Sequence, residues 1–99
     1  MTSVEDDLLA LQAWYHYRCD GEWEHRYGLT IETCDNPGWQ ISFTDRPVST
    51  RQQERIQQVL QQWPTGVLES DDTQTSLRLF DTDLSKVLQD ARQVVDVWN

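Results

Sequence analysis

The stretch from Trp14 to Trp39, WYHYRCDGEWEHRYGLTIETCDNPGW, constrains this chain more than any other. It holds three of the five Trp, all three Tyr, both His and both Cys. Aromatic side chains are large and costly to leave in water, and they dominate both cores and interfaces. A chain that concentrates them here is building its core, a recognition surface, or both. Ten aromatics in 99 residues also supply the burial that disordered chains lack. The length fits one domain spanning residues 1–99.

The spacing of apolar residues predicts the elements in order. Thr2 or Ser3 can cap a first helix whose opening turn carries Glu5, Asp6 and Asp7. Val4, Leu8, Leu11 and Tyr15 follow helical steps and form its expected apolar stripe, and Gly21 fits a helix stop. Glu22–His25 then leads into a strand in which Tyr27, Leu29 and Ile31 alternate with Gly28, Thr30 and Glu32. Asp35-Asn36-Pro37-Gly38 has turn chemistry at every position, with Gly38 expected at positive φ. Trp39, Ile41 and Phe43 alternate again, so the two runs read as a β-hairpin.

Ser49 or Thr50 can cap a second helix, with Gln52 or Gln53 completing a capping box. Ile56, Val59, Leu60 and Trp63 make its stripe, and Pro64 and Gly66 end it. Two short strands, Val67–Ser70 and Ser76–Phe80, flank a turn at Asp71-Asp72-Thr73. Asp81 or Thr82 caps the last helix, whose stripe of Leu84, Val87, Leu88, Ala91, Val94, Val95 and Trp98 is the clearest periodic signal in the chain. Trp98, next to the last residue, is expected to be partly exposed and free for a dimer contact. The order helix, hairpin, helix, two strands, helix predicts an α+β domain: a small antiparallel sheet of about four strands against about three helices. The uncovered face of that sheet would carry Thr30, Glu32, Gln40, Ser42 and Thr44.

Charge narrows the function. Seventeen acids against eight bases give a net charge of −9. Phosphate neutralisation needs clustered Lys and Arg, so nucleic acid is not an expected partner, and an anionic membrane surface is equally disfavoured. A basic protein partner is favoured instead, by fast electrostatic association. The N-terminus carries acids rather than a basic flank and an apolar run, and no apolar run approaches the roughly 20 residues of a membrane span. The chain therefore reads as cytoplasmic, with Cys19 and Cys34 as reduced thiols.

Several blocks then combine. Leu11-Gln12, Trp14-Tyr15, Cys19-Asp20-Gly21 followed by Trp23-Glu24-His25, Tyr27-Gly28 and the Asp35-Asn36-Pro37-Gly38-Trp39 turn resemble, in order and spacing, the bacterial immunity protein 53 family. The resemblance runs over about residues 8–44. It implies an antidote protein, encoded beside a polymorphic toxin, that neutralises the toxin by binding it, without enzymatic activity or cofactor.

On that reading the partner-binding residues are Asp20, Glu22, Trp23 and Glu24 in the acidic block and Asp35, Asn36 and Trp39 at the turn. Trp is enriched among interface hot spots, and carboxylates complement a basic partner. Each has a structural alternative: Trp23 can plug the core, Asp20 and Glu22 can be simply solvated, Glu24 can bond backbone or pair with Arg26, and Asn36 with Gly38 can serve turn geometry alone. A second class of function rests on His16, Cys19, His25 and Cys34, a ligand set that could close a tetrahedral zinc site but has no finger spacing. A third is an interaction adaptor with no toxin link.

Overall fold

The computed structural model describes residues 3–61 and 66–98. Its elements are α1 (Val4–Arg18), one 3₁₀ turn (Trp23–His25), β1 (Gly28–Cys34), β2 (Gly38–Asp45), α2 (Thr50–Leu60), β3 (Val67–Ser70), β4 (Thr75–Asp81) and α3 (Leu84–Val95). The fold is α+β, in the order the periodicities predict. The strands form one antiparallel sheet in the order β1-β2-β4-β3. The chain enters its second half at the far edge, through β3, and β4 returns to pair with β2.

Register puts Ile41 opposite Leu79 and Phe43 opposite Leu77, and all four are buried. These side chains floor the core. Above them lie Leu11 and Trp14 of α1, Ile56 and Leu60 of α2, and Val87, Leu88, Ala91, Val94 and Val95 of α3. Trp14 stands edge-on to Trp23, Phe43 and Trp98, with ring centroids 5.6, 5.2 and 5.4 Å away. Each such pair adds about 0.5–1.5 kcal/mol beyond the area it buries. The opposite sheet face is polar: Thr30 and Glu32 are exposed, and Gln40, Ser42 and Thr44 are half-buried.

Several local expectations change. The buried stripe of α1 is Asp7, Leu11 and Trp14, while Val4 and Leu8 remain 44% and 43% exposed. The helix is turned so that the Trp14 indole enters the core, which also carries Asp7 inward to pair with Arg92 at 3.6 Å. A carboxylate at a core position hides this face from any reading based on apolar periodicity. Ser3 caps α1, accepting from the Asp6 amide at 3.1 Å; Thr2 lies outside the described residues. Glu22–His25 is no strand lead-in. It contains the 3₁₀ turn, and β1 starts at Gly28.

Gly38 does not have positive φ; among the described residues Gly21, at +97°, is the glycine that does. Gly38 is needed for a different reason: a Cβ there would lie 2.7 Å from the Phe80 ring. On α2, Ser49 caps by accepting from the Gln52 amide at 3.1 Å. The side chains of Gln52 and Gln53 do not close a capping box: they donate to the carbonyls of Val97 and Val48. Trp63 and Pro64 lie outside the described residues. Asp83, rather than Asp81 or Thr82, caps α3, accepting from the Ser85 amide at 2.9 Å. Trp98 is fully buried against Trp14 and Phe43, so it offers no dimer contact.

Candidate functional site

The loop from Asp20 to Glu24 is held by its own carboxylates. Asp20 Oδ1 accepts from the amides of Glu22 and Trp23 at 2.9 and 2.8 Å, an Asx turn that leads into the 3₁₀ turn. Glu24 reaches back to the amides of Asp20 and Gly21, at 3.0 and 2.9 Å. Gly21 supplies the left-handed residue that the tight path requires. The Trp23 and Glu22 amides hold the Asp20 carboxyl down at about 2. Glu24 is lowered too, by its own amide first and then by those of Gly21 and Asp20. Arg46 adds an exposed pair to Asp20 at 3.2 Å, worth little by itself.

These contacts sort the acidic block. Trp23 is 2% exposed and its indole N–H is spent on Asp45, so it anchors the loop from inside. Glu24 is half-buried and bonds the loop backbone. Asp20 and Glu22 face solvent, and among the described residues the Glu22 carboxylate has no protein partner.

Asp35, Asn36 and Pro37 form the exposed hairpin turn, and Trp39 follows half-buried at the start of β2. The turn and the acidic loop do not come together. Asp45 and Arg46, which hold the loop, lie at the other end of β2, roughly 23 Å away at about 3.3 Å per residue. The predicted residues therefore make two patches. A standard protein interface, about 800 Å² per partner, is wide enough to touch both.

His16, Cys19, His25 and Cys34 are not gathered. Among the described residues no three His, Cys, Asp or Glu side chains form a group that could hold a metal ion. Cys19 Sγ instead donates to the Tyr15 carbonyl at 3.3 Å, and both cysteines are free.

Between the patches runs a groove of about 670 Å³ that sequence reasoning missed. Leu8, Leu11 and Tyr15 of α1 form one wall, and Leu29 and Ile31 of β1 the other; the segment Glu24–Tyr27 closes one end. Its sequence signal was present but assigned elsewhere. Of the stripe read as core, Leu11 is buried in the core and only borders this groove, while Leu8 is exposed on its wall and Tyr15 half-buried there. Among the described residues no helix is long and apolar enough to cross a membrane, so this apolar surface is not part of a spanning helix.

A family model described as Immunity protein 53 matches residues 8–65, more than half of the chain. The match takes in the acidic loop, the hairpin and both walls of the groove, and it continues through α2. No curated protein and no solved structure matches the chain.

Proposed function

Because the chain belongs to the immunity protein 53 family, we propose that it neutralises a cognate bacterial toxin by binding it, and performs no chemistry of its own. The observation that carries this reading is the family match over residues 8–65, which encloses the acidic loop, the hairpin turn and the groove. Net charge of −9 supports a basic partner, drawn in by long-range attraction. Asp20 and Glu22 at one end, and Asp35 and Asn36 at the other, supply a polar rim. Trp39 offers a partly covered indole of the kind that fills a partner's pocket and slows dissociation. Trp23 and Glu24 act on the partner through the loop shape they hold. The protein works in the cytoplasm, where it meets the toxin before export or after entry.

Co-expression with the toxin encoded by the adjacent gene tests the proposal. Growth should be rescued and the two proteins should co-purify as a stoichiometric complex. Persistent toxicity with no complex would end it.

A further inference from the structure

Three features of the groove point to one kind of occupant. The first is the edge it borders. β1 pairs with β2 alone, and among the described residues no strand pairs with its outer side. An edge strand presents a row of unpaired N–H and C=O groups, which proteins usually blunt with charged side chains, Pro, bulges or brevity; on β1 the one charge is Glu32. β1 is seven residues long and contains neither Lys nor Pro, and Thr30 to Thr33 are exposed on both faces of the strand.

The second feature is apolar. Leu8 is 43% exposed and Ile31 39%, and both line the groove. Tyr15 lies at the other end, against Gly28. Leu8 and Tyr15 of α1 thus border, together with β1, an open space. The third feature is charge. Glu24 lines the groove at its closed end; outside the lining, Glu5 lies one turn before Leu8 on α1, Glu22 lies in the acidic loop, and Glu32 sits on β1 with its side chain on the polar face beside Gln40. Among the described residues Arg26 is the one arginine lining the groove. A second copy of this chain would bring the same acids against one another, which disfavours self-pairing.

We infer that the groove between α1 and β1 accepts an extended, basic segment of the toxin, added to β1 as a further strand, with alternate apolar side chains set against Leu8, Tyr15, Leu29 and Ile31. Main-chain bonds to the edge would give affinity, and the apolar wall with its acidic rim would give register and selectivity. This inference rests on the immunity reading and narrows it to a surface.

The experiment is hydrogen exchange and titration calorimetry on the complex with the toxin domain encoded by the adjacent gene. Amides within Leu29–Thr33 should gain protection. Leu8→Glu, on an exposed helix position, should keep its melting temperature yet bind more weakly by on the order of thirtyfold or more, the scale of a hot-spot side chain. Ile31→Thr, which preserves strand propensity, should weaken binding in the same direction. Wild-type affinity in both variants, with protection confined to other surfaces, would overturn the groove assignment and leave the immunity reading intact. A free protein that is a dimer and becomes monomeric with Leu8→Glu would give the groove to a second copy and also overturn it. No binding and no rescue by the wild-type protein would instead remove the immunity reading, and this inference with it.

Discussion

The indole N–H of Trp23 donates to Asp45 Oδ1 at 2.8 Å, while Asp45 Oδ2 takes Arg18 Nε at 2.9 Å. Asp45 Oδ1 also accepts from the Arg46 amide at 2.7 Å. The Arg18 guanidinium lies over the Trp14 ring, 4.3 Å from its centroid, and donates to the Trp98 carbonyl at 3.0 Å. One carboxylate at the end of β2 thus ties together α1, the acidic loop and the residues after α3. The loop's position on the surface is set from within the core.

Removing that carboxylate leaves Arg18 without its charge partner in a site where both side chains are only 11% exposed. Asp45→Ala should lower unfolding free energy by about 3 kcal/mol, as expected when one member of a buried pair is deleted. Urea denaturation followed by Trp fluorescence measures it. A loss under about 0.5 kcal/mol, the range of ordinary surface substitutions, would mean that Asp45 is not the tie described.

Glu22 is the acid of the loop that carries no internal hydrogen bond from its side chain among the described residues. Glu22→Lys should change stability by no more than about 0.5 kcal/mol. It should slow association with the toxin several-fold at low salt and flatten the salt dependence of the on-rate, with little change in the off-rate. Stopped-flow association at two ionic strengths separates these effects. Unchanged on-rates would remove this end of the surface from the encounter.

Gly38 is required by the Phe80 ring rather than by its backbone angle. Gly38→Ala should cost about 1–3 kcal/mol through overpacking. Adding Phe80→Ala should lower the cost of the Gly38→Ala step, leaving only the tighter approach to the Asp81 carbonyl at 3.0 Å. A double-mutant cycle in denaturant checks the coupling; strictly additive costs would contradict the contact.

The Asp20 carboxyl is held at about 2 by the Trp23 and Glu22 amides. Glu24, Asp71 and Asp83 are lowered in the same direction; the Thr73 and Ser85 hydroxyls are the first causes for the last two. A depressed folded pKa contributes stability that is present above the unfolded value near 4 and lost as pH falls through the folded value. Asp90 runs the other way: burial raises it, so its contribution is greatest in acid and declines as pH rises. Four lowered groups against one raised predict net loss of stability as pH falls below about 4. An NMR titration should show the Glu22 and Trp23 amides moving together with a midpoint near 2. A midpoint at the ordinary Asp value would show that the turn does not hold its proton off.

The order of elements could be read from this sequence because it depends on local period and turn chemistry. The α3 stripe from Leu84 to Trp98 repeats at helical steps over its whole length, and a helix with so sharp an apolar face has one way to pack. The two alternating runs around Asp35–Gly38 define a hairpin in the same local way. The acidic, aromatic-rich segment and its family resemblance were equally a property of residues in order.

What the sequence could not decide is which face of α1 goes inward, and that choice creates the surface. Apolar periodicity favours Val4, Leu8, Leu11 and Tyr15, but the fold buries Asp7, Leu11 and Trp14. Asp7 enters the core because Arg92, on a helix more than eighty residues away, is there to meet it. Trp23 is interior, and Asp45 takes its indole N–H there. Such pairings join distant parts of the chain, so no local pattern announces them. They leave Leu8 and Ile31 exposed on the lining of an open groove and place the acidic loop and hairpin turn at opposite ends of one strand.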